Sequence, residues 1–404
     1  MSNCRICRGK LKKIIDLGKI ALVGDFTKKL KKQKKYKISL NFCIICKHIQ
    51  ISEVLNPNLL FKNYLWETGV SSSNVSLIKN LVKNLKKYNI KKDSKIIEIA
   101  SNDGSFLNII RKKYKCVVLG VDPAKNFKTS LQRKNIPSII NFFNFNLSKK
   151  IKKKYGMFDF VFARNVIAHV SKPGEIFSGA NNLLSNDGVF IIEVPHLKNI
   201  YKHNQYDNIF HEHIGFHSLK SIIDLSFKSN LKVFNVEKIK SQGGSIRCYI
   251  CKKNLKMKIS KQIKKILNEE KRLGLLSSVK LKKLKNKIET HILKMQNIIN
   301  YLKSRNNKIS VYGASGKGQA LLQYCKLDHK KIDYVFDKSE LKQECFTPGS
   351  SIKIKNPTKI KKLNPDYLLL LSWNIKDEIL KQEKLFIKNG GKFIIPFPSP
   401  KIVF

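Results

Sequence analysis

The sequence predicts an α/β protein. A doubly wound parallel sheet occupies the middle of the chain, with a small cysteine-bound module before it and a second α/β domain after it. Three observations predict this. Two CxxC pairs stand near the start, Cys4-x-x-Cys7 and Cys43-x-x-Cys46. Between Lys95 and Pro195, apolar strand-like runs alternate with amphipathic helical runs. From Ile309 a second strand, glycine-rich turn and helix follow, ISVYGASGKGQALL. A chain of 404 residues has room for two or three cores. The expected divisions are 1–60, 61–250 and 251–404.

The two N-terminal pairs each present two thiolates from one tight turn. Together Cys4, Cys7, Cys43 and Cys46 supply the tetrahedral all-sulfur shell that zinc prefers. Four thiolates leave no open position for a catalytic water, so the zinc is expected to be structural. It would stabilise a segment with too few apolar residues to fold alone. Cys248-x-x-Cys251 is a lone pair in a strand-like run, SIRCYICKK, and reads as structural.

The formal net charge of +52 suggests nucleic-acid or membrane binding. The excess, however, is lysine spread along the chain, with arginine scarce. Lys, Ile, Asn and Phe all have A/T-rich codons, so genomic composition accounts for the mixture. A dedicated binder clusters its basic residues and uses arginine. Met1 to Lys10 lacks the apolar segment of a signal peptide, and no apolar run nears the roughly 18 residues of a membrane span. The expectation is a soluble cytoplasmic protein, monomer or homodimer, with no membrane and no nucleic-acid partner. An RNA-binding or RNA-methylating zinc protein is the alternative that the charge motivates.

In the central part, Ser76 to Tyr88 has helical periodicity. Lys95 to Phe106, KIIEIASNDGSF, reads as strand, turn and helix. Such a turn admits a ligand close to the backbone and aims helix N–H groups at it. Glu98 ends the strand, and Asn102, Asp103 and Gly104 make the turn. The next strand, Cys116 to Val121, ends in Asp122, where an acid can accept from both hydroxyls of a ribose. Phe158 to Ala163 runs into Arg164-Asn165-Val166-Ile167-Ala168-His169, and Gly188 to Pro195 is a fourth strand. Ligands bind at the carboxyl ends of such strands. A helix from Leu219 and two strands between Leu231 and Ile250 follow, joined through Gly243 and Gly244.

Tyr206 to His217, YDNIFHEHIGFH, concentrates four ionisable side chains in one strand-to-helix connection. Proton chemistry, a metal site and a polar surface loop are the readings it allows. Gly215 between His213 and His217 disfavours a helix, and the H-E-x-x-H spacing of zinc proteases is absent.

The order of motifs is distinctive: CxxC…CxxC, Tyr64-x-Trp66, E-I-A-S-N-D-G from Glu98, R-N-V-I-A-H from Arg164, F-H-E-H from Phe210 and G-G-S-I-R from Gly243. It resembles the class I S-adenosylmethionine-dependent methyltransferases, and specifically the C-methyltransferases that act on nucleotide-linked 4-keto-sugars. The resemblance covers nearly the whole chain. It implies a zinc-binding module, a class I methyltransferase sheet and a C-terminal Rossmann-like domain, with S-adenosylmethionine as cofactor and a nucleotide-sugar as substrate. Carried over, Glu212 and His213 are candidate bases, with His169 across the pocket and Tyr64 a further catalytic residue. Glu98, Ala100, Asn102, Asp103, Gly104, Asp122, Arg164 and Asn165 would line the donor site. Trp66, Phe210, Gly243, Gly244 and Ser245 would line the sugar site. The sequence departs from the family at three of these positions. Phe210 replaces a usual Tyr, Trp66 a common second Tyr, and Ala100 a usual Gly, which a negative φ would accommodate. A proton beside a ketone is weakly acidic, so its removal needs a base tuned toward neutral pH and donors for the enolate oxygen. O-methylation of a sugar and a non-catalytic nucleotide-sugar-binding role remain alternatives.

In the last third, Lys252 to Asn307 is a lysine-rich helical stretch. The GASGKG turn after it suits a phosphate, and Lys317 can neutralise charge there. A strand from Ile332 to Phe336 ends in Asp337, and Asp366 to Ser372 reads as a buried strand. Within the family this half helps to hold the nucleotide diphosphate, with Ser315, Lys317 and Asp337 as candidates. A Rossmann-like domain that binds nothing is the structural alternative.

Overall fold

The computed structural model describes residues 3–62 and 64–404 and contains three sheets. Strands β1 (Leu11–Ala21), β2 (Lys35–Cys43) and β3 (Ile49–Ile51) pair antiparallel beside the cysteines. The central sheet takes β4 (Lys95–Ile99), β5 (Val117–Val121), β6 (Ser138–Ile139), β7 (Phe158–Arg164) and β8 (Leu184–Pro195). Strand β9 (Gly215–Phe216) leaves that series and pairs with β3, so the sheet of the N-terminal module is completed from the middle of the chain. Strands β10 (Leu231–Ile239) and β11 (Ser245–Lys252) return to the central sheet, antiparallel.

The central order is β10-β11-β8-β7-β4-β5-β6. Numbered along the chain within the sheet, this is 3-2-1-4-5-7-6, the class I methyltransferase arrangement that the sequence predicts. The order reverses between β4 and β7, which places the ligand crevice at their carboxyl ends. Buried Ile, Val, Leu and Phe side chains cover both faces, as a parallel sheet requires.

Two helices, Lys261–Leu273 and Ser278–Ser304, lead to the third sheet. It contains β12 (Ile309–Tyr312), β13 (Val335–Phe336), β14 (Ile354–Lys355), β15 (Tyr367–Leu370), β16 (Lys392–Ile395) and β17 (Lys401–Val403). Their order, β14-β13-β12-β15-β16-β17, is 3-2-1-4-5-6 along the chain, the dinucleotide-fold order. The predicted strand 332–336 shortens to Val335–Phe336.

The N-terminal module shares its core with the C-terminal half. Ile15, Ile38, Tyr206, Phe210, Leu321 and Leu322 belong to one buried cluster. Gln323 extends the join: its side-chain amide exchanges hydrogen bonds with the backbone of Ala21 at 2.7 and 3.3 Å. The four sulfurs of Cys4, Cys7, Cys43 and Cys46 lie within 4.8 Å of one another, a spacing that fits a single tetrahedral zinc. Among the described residues, no other group of His, Cys, Asp and Glu is so placed. No described helix is long and apolar enough to cross a membrane.

Because the thiolates tie β1 and β2 to the rest, Cys43→Ser is expected to lose zinc, measured by atomic absorption. It should also lower the melting temperature by on the order of 5 °C or more in calorimetry.

Candidate active site

The crevice is built from strand ends and three loops. At the end of β4, Ala100, Asn102 and Gly104 all have positive φ, of 60°, 52° and 74°. The negative φ that would accommodate an alanine at position 100 is therefore not the one the chain adopts. The amides of Ala100 and Ser101 both donate to Val121 O, at 2.7 and 3.2 Å, and this holds the chain in the left-handed region. An alanine there carries strain of about 1 kcal/mol that glycine would avoid.

The Asn102 side chain accepts from the Thr68 amide and hydroxyl and donates to Trp66 O, so the aromatic segment before Thr68 is strapped over the turn. Asp103 accepts from Ser105 N and Oγ and pairs with Lys134 at 3.2 Å, which occupies it structurally. Asp122 accepts from the amides of Asn102 and Ala124, one on each oxygen, at 2.8 Å. Each of those oxygens keeps a lone pair, and burial raises the carboxyl's pKa. Buried Glu98 pairs with partly buried Arg164 at 2.8 Å. Burial lifts Glu98 to about 7 against that neighbour. Glu98 Oε2, Ser101 Oγ and Asn165 Oδ1 are buried without partners. These acceptors fit a ligand that brings its own hydroxyl and amino hydrogens.

The sequence reading missed a second ion pair in the same row. Glu193 at the end of β8 and Arg247 on β11 meet at 2.7 Å, and Arg247 also reaches Glu237. A narrow cavity is lined by Trp66, Thr68, Arg164, Asn165, Glu193 and Arg247. Both arginines were visible as residues of the R-N-V and G-G-S-I-R motifs. Their partners were not, because pairing across strands needs the sheet order.

The loop Tyr206–His217 brings the four predicted catalytic residues together. Tyr64 Oη donates to Glu212 Oε2 at 3.3 Å. The rings of His169 and His213 meet edge to face with centroids 4.7 Å apart. Phe210 lies on His213 at 4.3 Å. His213 Nδ1 is 2.8 Å from Asn208 O. A carbonyl only accepts, so Nδ1 carries the proton and Nε2 the lone pair. Burial, helped by His169 and Lys317, depresses the His213 pKa well below the usual imidazole range. His169 falls to about 4 through burial. Burial raises Glu212 to about 7, opposed by Tyr64 and Lys342. Among the described residues, the group placed to hold a metal is the four-cysteine cluster and not these histidines.

The C-terminal domain supplies the facing wall. Ser315 caps the helix Gly316–Tyr324, accepting from Gly318 N at 3.2 Å. Asp337 is held within the turn by Ala314 N and Ser339 N. Lys317 is buried and donates to Gln242 O at 2.8 Å. Burial lowers its pKa to about 8, opposed by Asp207. Asp207, fully buried, accepts from Trp373 Nε1 at 2.7 Å. Asp207, Trp373 and Lys342 join the site without having been predicted. Asp207 stood inside the quoted loop, but His and Glu beside it drew the attention. Gly243 has φ 84°, and a Cβ there would lie 2.6 Å from the Trp373 ring. The hydroxyl of Ser245 is spent within its own hairpin on Ser241 O, so it does not face the cleft as a free donor.

Three family models match consecutive parts of the chain. A zinc-binding domain covers residues 4–61, a methyltransferase domain 73–236 and a C-methyltransferase C-terminal domain 240–398. C-methyltransferase NovU of Streptomyces niveus is 29% identical over 408 aligned positions, spanning all of this chain and 97% of that protein. The chain is a methyltransferase, similar over its whole length to a C-methyltransferase. Among solved structures, it is similar to magnesium protoporphyrin IX methyltransferase of Synechocystis PCC 6803. That match has 11% identity and a TM-score of 0.34, covering 44% of this chain and 79% of that one. An S-adenosylmethionine-dependent methyltransferase of Clostridium acetobutylicum matches at 11% identity and TM-score 0.36, covering 46% and 93%.

Removing Arg164 from this methyltransferase leaves Glu98 buried and unpaired. Arg164→Ala should cost about 3–5 kcal/mol in denaturant unfolding.

Proposed function

We propose that this methyltransferase methylates a nucleotide-linked keto-sugar at the carbon beside its 4-ketone, after a base on the loop Tyr206–His217 removes the proton there. The observation that carries this reading is the convergence of Tyr64, His169, Glu212 and His213: Tyr64 bonds to buried Glu212, and the His169 ring meets that of buried His213. An unactivated sugar carbon is no nucleophile. C-methylation therefore asks for a base, whereas transfer to oxygen asks for far less.

Glu212 is the proton acceptor in this proposal. Its pKa of about 7 gives a carboxylate with real basicity at neutral pH, and Tyr64 orients it. His213 presents only a lone pair at Nε2, so it accepts a hydrogen bond from a sugar hydroxyl and cannot itself donate to the enolate oxygen. Lys317, whose charge reaches His213, is the nearest cation for that oxygen. Trp66, Phe210, Gly243 and Gly244 wall the sugar. Ser315 and Lys317 face the diphosphate, joined by buried Lys342, while Asp337 shapes the turn.

Bound S-adenosylmethionine supplies an electrophilic methyl. Asp122 accepts from its ribose. Glu98, Ser101 and Asn165 offer their unpartnered oxygens, with Arg164 neutralising Glu98. Ala100, Asn102, Asp103 and Gly104 hold the turn that lets the donor approach the backbone. We assign zinc binding to 1–60, donor binding to 61–250 and nucleotide binding to 251–404.

Mass spectrometry with S-adenosylmethionine and a panel of nucleotide-linked keto-sugars should show one gained methyl on a keto-sugar and none on the reduced sugar. Glu212→Gln should lower kcat by about 10²–10⁴-fold and leave donor affinity in calorimetry within about twofold. The ionised carboxylate is the active form, so kcat/KM should rise with pH and level off above about 7. A limb well below the usual imidazole range that disappears in His213→Asn would move the base to His213.

A further inference from the structure

The N-terminal module does more than cover the core: it carries an arginine between two of its cysteines that reaches the catalytic loop. Arg5 lies between Cys4 and Cys7, whose turns carry two of the four thiolates. Its Nη1 donates to Ile214 O at 3.0 Å and its Nη2 to Ile51 O at 2.9 Å. Its amide donates to Gln50 Oε1 at 2.9 Å. Gln50 pairs across the sheet with Gly215, and Ile49 with Phe216. One guanidinium thus bridges the cysteine turn, strand β3 and the residue that follows His213.

Ile214 is the joint between the two histidines. Its amide donates to Ala168 O at 2.8 Å, one residue before His169. Its carbonyl accepts from Ile51 N at 3.1 Å as well as from Arg5. The peptide units on either side of Ile214 therefore fix the backbone next to His213 against the backbone next to His169. The two rings, 4.7 Å apart, take their relation from that pair of contacts. A planar, two-pronged donor can serve both carbonyls at once. A lysine could serve only one of them at full strength.

We propose that Arg5 is a positioning residue for proton abstraction, transmitting the geometry of the four-cysteine cluster to the loop that carries Glu212 and His213. The proposal rests on the reading of that loop as the base-bearing element, but its first test does not. The cluster sets where Arg5 starts, and Ile214 O is where it ends. Loosening either end releases the loop at one anchor while the donor crevice keeps all its own contacts. A shift of about 1 Å at a reacting group can cost on the order of 10²-fold in rate. A partial release should cost about tenfold.

The experiment compares full-length wild type with Arg5→Gln and Arg5→Lys. Hydrogen exchange by mass spectrometry is read on peptides spanning 206–217, zinc content by atomic absorption, and S-adenosylmethionine affinity by calorimetry. Arg5→Gln should keep its zinc and its donor affinity, exchange faster at 210–216 and lose about tenfold in kcat with KM within about twofold. Arg5→Lys should fall between it and wild type in both exchange and kcat. Unchanged exchange at 210–216 in a zinc-loaded Arg5→Gln protein overturns the proposal whatever the activity. Loss of zinc or of donor affinity together with kcat in both variants overturns it too, since the role would then be general stability. If Glu212→Gln is fully active while Arg5→Gln still loosens the loop, the base assignment fails and the mechanical link stands.

Discussion

The backbone at Ile214 is the point on which the proposed catalytic arrangement depends. Its amide and carbonyl satisfy Ala168, Ile51 and Arg5 at once, which joins the methyltransferase sheet to the cysteine module. The other end of the loop is tied to the C-terminal half. Tyr206 Oη donates to His291 Nδ1 at 3.0 Å, and Tyr324 Oη donates to Ile209 O at 2.5 Å. Only Phe210, His211, Glu212 and His213 hang between the two anchors. Two supports that belong to different sheets hold the reactive side chains more firmly than either could, because both must yield before the loop can move. The need for both supports gives one physical reason for three sheets in a single chain.

The cleft between them is a place where charges are buried in pairs. Glu98 with Arg164, Glu193 with Arg247, and Asp207 near Lys317 each set a carboxylate against a cation away from water. Such pairs add little net stability but cannot be broken one partner at a time. Their effect is to keep the strand ends stiff. Glu212 differs from them. Among the described residues Tyr64 is the one hydrogen-bond partner of its side chain, and burial outweighs Tyr64 and Lys342 to raise its pKa to about 7. The same low-dielectric surroundings lower His169 and His213, so at pH 7 both imidazoles are neutral while Glu212 is divided between acid and carboxylate.

Much of this was legible in the chain. Periodicity placed β4, β5, β7 and β8 within a few residues, because buried parallel strands read as short apolar runs. The spacing of Cys4, Cys7, Cys43 and Cys46 announced a four-sulfur cluster, because two tight turns are enough to describe it. Other features were not legible. That Gly215–Phe216 would leave its neighbours and join β3 depends on pairing across some 165 residues, which no local pattern encodes. The partners of Arg164 and Arg247 depended on sheet order. The positive φ at Ala100 was not legible either, because it follows from two successive amides converging on Val121 O across the sheet. The Phe210 ring packs on His213 beside Gly316, in the buried cluster that also contains Val23, and nothing in the structure explains why a phenylalanine stands there.

The central claim is that this cleft makes a carbon nucleophile by taking a proton from beside a ketone. Solvent exchange tests it most directly. The zinc-loaded protein is incubated in deuterium oxide with a nucleotide-linked 4-keto-sugar and without a methyl donor, and the recovered sugar is read by NMR. The account predicts deuterium at the carbon beside the ketone, faster than in buffer alone and abolished in Glu212→Gln. No exchange above the buffer rate, in protein that methylates the same sugar when donor is added, would contradict it.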